Sequence, residues 1–242
     1  MTWALLLLST FFASTVQSAT GFAFALIVVP AYLILLGTTD VIQIVIILSV
    51  VMSLAHLPKL KSNIPFHILK WLGIGCVLGF PAGLYLYSHI DLDLLKIMVA
   101  ILLILVSLQN GWSMWKQKAG QLEHNKGVLS AVGLLSGVLG ACLAMPGPLV
   151  MLYLSRTTLS KDEIRATMIS FFVFSYITIL ILQYIVIGID KDVWINTSYL
   201  IPAALLGVFA GHQISKVINE KLFKGLILLI LIITGIFMLI NL

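Results

Sequence analysis

The sequence predicts an all-α integral membrane protein made of two inverted-topology repeats, each with about five hydrophobic segments. Of its 242 residues, 61% are hydrophobic and only 10% are charged, whereas soluble domains carry about 25% charged residues. Related motifs also recur in the two halves of the chain. In membrane proteins, segments broken by Gly and Pro at matching places in two halves are typical of transporters with a site between the halves.

Two pairs of motifs reveal the repeat. The first pair is SATGFAFALIVVP (18–30) and SGVLGACLAMPGP (136–148), which share a leading Ser and a final Pro. The second pair is LGFPAGLYLYSHIDLDLLK (78–96) and LGVFAGHQISKVINEKLFK (206–224), which keep one register from Leu-Gly to the final Lys. The predicted units are a first transmembrane repeat at 1–115, a cytoplasmic linker at 116–126 and a second, inverted repeat at 127–242.

Ten hydrophobic segments are predicted, and the first two of each half are short. A straight helix needs about 20 apolar residues to span a bilayer. The short segments are joined by residues 17–21 in the first half and by Gly140-Ala141-Cys142 in the second. Each short pair is either a tilted hairpin that spans the membrane or a broken, re-entrant element that lines a cavity; we favour the broken element. The segments are 2–17, 21–36, 41–57, 65–88, 94–115, 127–139, 143–155, 164–188, 195–216 and 222–241.

Loop charges predict the orientation. Of the fourteen Lys and Arg residues, all except Lys96 and Lys191 fall on one face of this topology. By the positive-inside rule that face is cytoplasmic. Because each half has an odd number of segments, the halves have opposite orientations and both termini are predicted outside the cytoplasm.

The ionisable residues near the membrane are basic rather than acidic. No Asp or Glu lies inside a hydrophobic segment, which argues against a cation carrier because buried carboxylates usually mark cation or proton pathways. Lys70 and Arg165 either follow the positive-inside rule or belong to a basic funnel that attracts anions, with His56, His67 and His212. Arg165 is the strongest candidate, since a guanidinium group binds oxyanions with paired donors.

The joints between the short segments form the predicted binding site. Gln17, Ser18 and Thr20 offer side-chain donors beside Gly21, a residue that lets the backbone open. Helices that begin at such joints direct free N–H groups and positive dipole ends inwards, which suits an anion. The alternative is that small residues only permit close helix packing, but their recurrence in both halves favours a site. The predicted substrate-binding residues are Gln17, Ser18, Thr20, Gly21, Ser136, Gly137, Gly140, Pro146, Gly147 and Arg165.

A ridge of glycines is predicted to serve packing. Gly75, Gly79 and Gly83 are spaced four residues apart, and Gly207 and Gly211 are their counterparts in the second half. Such spacing gives a smooth helix face for close contact with another helix.

Two histidines are candidate ligands or proton-linked groups. His212 stands where the first half has Leu84, and His56 lies near the end of the third segment. For His212, a hydrogen-bonded histidine at a helix end is the simpler interpretation.

Nothing in the sequence predicts an enzyme, a cofactor or a metal site. It has no G-x-S-x-G, H-E-x-x-H or phosphate-binding glycine loop, and no paired acids within the membrane. Cys76 and Cys142 lie in apolar segments of different halves and form no C-x-x-C motif.

At QSATGFAFALIVVP and LLSGVLGACLAMPGP, followed by the glycine ridges, the chain resembles the TauE/SafE sulfite-exporter family. The resemblance implies a small inverted-repeat protein of the bacterial inner membrane that exports sulfite, sulfonates or related organic anions. The family's first motif more often reads G-F-G, where this chain has Gly21-Phe22-Ala23. Its second motif is often richer in Gly than Gly140-Ala141-Cys142.

These observations together predict a secondary transporter that exports sulfite or an organosulfonate such as sulfoacetate by alternating access. The alternatives are a carrier of the same fold for another anion or solute, and a non-transporting membrane scaffold or assembly protein. The predicted partners are a small anion and the lipid bilayer, without nucleic acid, and a homodimer is left open.

Overall fold

The computed structural model describes residues 2–59, 64–116, 125–214 and 220–240, and every regular element within them is helical. The predicted linker at 116–126 lies largely outside these residues, as do Lys61, Lys118 and Lys216. A 3₁₀ turn, Leu57–Lys59, follows the third α-helix. The α-helices are α1 (Thr2–Thr20), α2 (Phe24–Leu36), α3 (Val41–His56), α4 (Phe66–His89), α5 (Leu92–Lys116), α6 (Lys126–Leu143), α7 (Gly147–Leu154), α8 (Lys161–Val186), α9 (Lys191–Ile214) and α10 (Glu220–Ile240).

The predicted all-α membrane class is confirmed. Within the described residues, five helices are long and apolar enough to cross a bilayer: α4, α6, α8, α9 and the Leu92–Gln109 part of α5. Some of the remaining apolar helices are shorter. In particular, α2 has 13 residues and α7 has 8, which at 1.5 Å per residue gives roughly 20 and 12 Å against a hydrocarbon core of about 30 Å.

The predicted position of the second joint is wrong. The helix α6 continues through Gly140-Ala141-Cys142 and ends at Leu143, so the break falls at Ala144, Met145 and Pro146. The small residues Gly140, Ala141 and Cys142 remain helical. Hydrogen bonds within the helix continue as far as the N–H of Ala144, which donates to Gly140 O. The two breaks now correspond closely, since Thr20 and Leu143 each end a helix and Phe24 and Gly147 each begin one after three residues.

Helices from the two halves pack against each other in matching pairs. The first helix of each half packs on the fourth of the other, as α1 on α9 and α6 on α4. The third helices, α3 and α8, also pack together, and so do the fifth, α5 and α10. The first joint is therefore held against elements that belong to the other half.

The glycine ridges allow the backbones of these pairs to touch. A Cβ added at Gly75, Gly79 or Gly83 would overlap backbone atoms of α6. Likewise, a Cβ at Gly207 or Gly211 would overlap the backbone of α1. The predicted packing role of the ridges is confirmed, and the contact partners show that both ridges join one half of the chain to the other.

The α4–α6 contact predicts a strong effect of one methyl group. Gly79→Ala should lower the free energy of unfolding by about 1–3 kcal/mol, the usual cost of overpacking, because its Cβ meets the carbonyl oxygen of Leu134. Gly111→Ala is the matched control, since nothing lies within 4 Å of a Cβ at this helical position. Thermal unfolding of both variants in detergent checks this, and equal midpoints would contradict the packing described.

Candidate functional site

The first joint is a left-handed turn between α1 and α2. Gly21 has φ 87° and Ala23 has φ 92°, conformations that glycine adopts without cost and alanine does not. The N–H of Gly21 donates to Gln17 O at 2.7 Å. The Thr20 hydroxyl is 2.8 Å from both Val16 O and Phe22 O, so its role in the structure is to close the turn.

The second joint repeats this construction between α6 and α7. Ala144 has φ 57°, and its N–H donates to Gly140 O at 3.0 Å. Pro146 stands just before α7, and Pro148 occupies its first turn, where the absent N–H of a proline costs nothing. Gly140 accommodates the turn, because a Cβ there would lie 3.0 Å from Pro146 Cβ.

A small cavity lies between the two joints. Its volume of about 10 Å³ is the room of roughly one water molecule. The starts of α2 and α7, which follow the two joints, both line it, together with one polar side chain from α1 and two aromatic side chains from α8. The lining residues are Gln17, Phe22, Ala23, Phe24, Ala25, Leu26, Met145, Gly147, Pro148, Phe172 and Tyr176.

The electrostatic character of this cavity follows from the two helix starts. The residues that precede α2 and α7, Ala23 and Pro146, offer no side-chain cap to the first N–H groups. Helix N-termini carry a partial positive charge and unsatisfied donors. No Asp or Glu is among the lining residues, so the cavity presents donors and positive dipole ends without a carboxylate.

Gln17 is the polar side chain in the cavity wall. It is 7% exposed, and its Oε1 accepts a hydrogen bond from the N–H of Phe24 at 3.2 Å. That bond fixes which end of the amide is the acceptor, and it leaves the NH₂ group as the donor. No hydrogen bond from this NH₂ group is found among the described residues, so it is available to a ligand.

The helix α8 holds both joints in place. Near its start, Arg165 Nη2 donates to Ser18 O at 2.6 Å, and its Cγ lies against Gly21. Further along, Tyr176 Oη donates to Ala144 O at 3.0 Å, and Gln183 Nε2 is 3.4 Å from Ala141 O. These carbonyl groups lie at the C-terminal ends of α1 and α6, where the helix leaves them without partners.

Of the predicted site residues, Gln17 and Gly147 line the cavity, while Thr20, Gly21 and Pro146 shape the joints beside it. Others are used in packing. The Ser18 hydroxyl donates to Val208 O of α9 at 2.8 Å. Arg165 contacts the first joint but does not line the cavity. The cavity wall on α8 begins at Phe172, which lies seven residues, or about 10 Å, further along the helix.

The three predicted residues of α6 do not reach the cavity. Ser136 is fully buried without a hydrogen-bond partner, two turns before the end of the helix. Gly137 packs on the backbone of Cys76 in α4, and Gly140 on Ile179 and Pro146. The motif alignment that matched Ser136 with Ser18 places the second joint too early, and this is why these residues were expected in the site.

The two candidate histidines lie outside the cavity wall. His56 is buried at the end of α3, with Nδ1 2.7 Å from Met52 O. His212 lies in the last turn of α9 and is half-buried.

The aromatic residues of α8 were not predicted from the sequence. Met168, Phe172 and Tyr176 follow Arg165 on one face of the helix, and Phe172 also contacts Gly147. Their spacing of three and four residues is the available signal, but on an apolar helix it equally describes ordinary core packing. Among the described residues, no group of three or more His, Cys, Asp or Glu residues could hold a metal ion.

Two broken helices that face one cavity lie within an apolar bundle, and five of its described helices are long enough to span a bilayer. These features define the class of a multi-pass membrane protein. The model of the sulfite exporter TauE/SafE family matches residues 6–238. The chain therefore belongs to the TauE/SafE family, which confirms the resemblance found in its motifs. No curated protein and no solved structure is significantly similar to this chain.

The bond between Arg165 and the first joint yields a prediction about stability. Arg165→Met should lower the free energy of unfolding by about 1.5–3 kcal/mol, the usual contribution of a hydrogen bond to a charged group. Arg165→Lys should lie between Met and wild type, because it keeps the charge at the end of α1 without the planar fork. Arg156→Met is the control, since Arg156 is exposed beyond α7. Equal unfolding midpoints for the two Met variants would contradict the role assigned to Arg165.

Proposed function

We propose that the protein is a secondary transporter that exports a small sulfur-containing anion, sulfite or an organosulfonate such as sulfoacetate. Membership of the TauE/SafE family supports a membrane anion exporter. The observation that carries the proposal is the cavity where the N-termini of α2 and α7 meet beside the NH₂ group of Gln17.

An anion suits this cavity for three reasons. The two helix starts provide backbone N–H groups and positive dipole ends. Gln17 adds a neutral side-chain donor that is already oriented by its bond to Phe24. No carboxylate lines the wall, so nothing repels a negative charge. Sulfite and sulfonate groups carry three oxygen acceptors, which donors from separate elements can bind together.

The small volume of the cavity supports transport by alternating access. Its volume of about 10 Å³ is too small for a sulfite ion, so the site must open to load and to release its substrate. Widening it requires the joints to move apart, and these belong to different halves of the chain. We propose that the units 1–115 and 127–242 are repeats of opposite orientation, and that α3, α7 and α8 move relative to the closely packed pairs α4–α6 and α1–α9, which join the two units.

The inverted repeat is supported by two features. The first helix of each half packs on the fourth helix of the other half, as α1 on α9 and α6 on α4. A two-fold relation between the halves requires such a reciprocal pairing. Each half also has its break in the same place, after its first helix. With the basic loops in the cytoplasm, both termini lie on the outer side of a bacterial inner membrane.

Flux from proteoliposomes tests the function. Vesicles loaded with sulfite or sulfoacetate should release the anion when they contain the protein, whereas a scaffold protein would leave the flux at the level of empty vesicles. In the variant Gln17→Glu, the carboxylate can still accept from Phe24 N–H, but the donor is lost and a like charge enters the cavity. We expect at least about a tenfold loss of flux, equivalent to about 1.4 kcal/mol.

The matched control is Gln109→Glu, which adds the same charge on α5, on the wall of a neighbouring apolar groove that shares Pro148 with the cavity. It should keep most of the wild-type flux. If Gln17→Glu transports as well as Gln109→Glu at equal expression, the anion does not bind at Gln17.

A further inference from the structure

We propose that the anion passes between the cavity and the cytoplasm along a polar stripe on α3 formed by Ser49, Ser53 and His56. This inference rests on the proposed function, because it assigns the path that connects the same cavity to one side of the membrane. The three residues are spaced at i, i+4 and i+7, which places them on one face of the helix.

This face of α3 lies inside the protein. The exposed fractions are 1% for Ser49, 2% for Ser53 and 5% for His56. The helix packs against α2, α8 and α9, so it touches both halves of the chain. A polar stripe in such a place is not directed at lipid.

The two serines of α3 are among the buried hydroxyl groups that do not donate to their own helix, and they lie one turn apart on the same face. In a helix, a buried Ser or Thr commonly donates to the carbonyl group four residues earlier, and Ser14, Ser175 and Thr197 do so here. Among the described residues, neither Ser49 nor Ser53 has a hydrogen bond of normal geometry. A buried hydroxyl without a partner is costly, so two of them in succession indicate a surface meant for water or a polar ligand.

The stripe begins beside Tyr176, a residue of the cavity wall. Ser49 lies near the hydroxyl of Tyr176, without the geometry of a hydrogen bond to it, and Tyr176 lines the cavity. Gln43, at the start of α3, donates to Gly188 O beyond the end of α8 at 2.9 Å. These two contacts show that α3 and α8 run antiparallel, so Ser53 and His56 follow α8 from Tyr176 towards its start.

The stripe leads to one end of α3 only. On the same face but on the other side of Ser49, α3 carries Ile42 and Ile46, both fully buried. The polar part therefore extends from the cavity to His56 and the following loop, which the proposed orientation places in the cytoplasm. In the closed structure this route is packed shut, and separation of α3 from α8 would admit water to it.

Thiol labelling tests the path without requiring transport. Cysteines are introduced singly as Ser49→Cys, Ser53→Cys and Ser107→Cys, all conservative in size. Ser107 on α5 is the matched control, because it is 1% exposed and its hydroxyl also lacks a partner. The native Cys76 and Cys142 are buried, and the wild-type chain measures their background reaction with an impermeant methanethiosulfonate reagent.

In inside-out vesicles, Ser49→Cys and Ser53→Cys should be labelled at least roughly tenfold faster than Ser107→Cys, and sulfoacetate should slow the reaction. In intact cells they should react no faster than the control. Equal labelling of all three in inside-out vesicles, or labelling only from the outside, would overturn the proposed path.

A second measurement uses Ser→Ala variants in the flux assay. Ser49→Ala and Ser53→Ala should each reduce sulfite flux by roughly tenfold, the loss expected when one hydrogen bond to a charged ligand disappears. Ser107→Ala should not. All three should unfold at or above the wild-type temperature, because each removes a buried hydroxyl without a partner.

Wild-type flux in both stripe variants would overturn the path. Absence of flux in the wild-type protein would defeat the proposed function, while the labelling would still decide the path.

Discussion

Breaking a helix inside a membrane leaves backbone N–H and C=O groups without partners, and lipid cannot supply any. This chain breaks two helices, after Thr20 and after Leu143. At both breaks, α8 provides donors for the carbonyl side, through Arg165 to Ser18 O and through Tyr176 to Ala144 O. The N–H side is treated differently, because the starts of α2 and α7 face a cavity. The arrangement of α8 therefore decides which backbone groups at the breaks are satisfied by side chains and which face the cavity.

The close helix pairs hold α1 and α6, the two helices that end at a joint, firmly against helices of the other half. The glycine faces of α4 and α9 let the backbones of α6 and α1 approach until no methyl group fits between them. Each pair joins the two halves, and each includes a helix that ends at a joint. We therefore expect the proposed opening of the cavity to occur where side chains are larger, along α3, α7 and α8. The unpartnered serines on α3 lie in that region, which connects the proposed path with the proposed motion.

The sequence predicts the helices well because hydrophobic length and loop charge are strong signals in a membrane protein. It also places the first joint, since Gly21 provides the left-handed conformation that the turn requires. Ala23 has the same conformation, at the position where the family more often has a second glycine. The second joint is missed because its left-handed residue is Ala144, which has no special mark in the sequence, while Gly140 looks like a break and is helical.

The walls of the cavity were only partly predictable. Gln17 stands out as a polar residue in an apolar segment, but Phe172 and Tyr176 resemble any core residues of a long apolar helix. Contacts between distant segments decide their role, and one sequence does not contain that information.

Anomalous diffraction from crystals grown with selenite tests the central claim most directly, since selenite has the shape and charge of sulfite and a strong selenium signal. One peak should lie between the starts of α2 and α7, within hydrogen-bond distance (about 3 Å) of Gln17 Nε2, and it should vanish in Gln17→Glu. A selenium peak elsewhere in the bundle that persists in Gln17→Glu, with none between the joints, would contradict the site described.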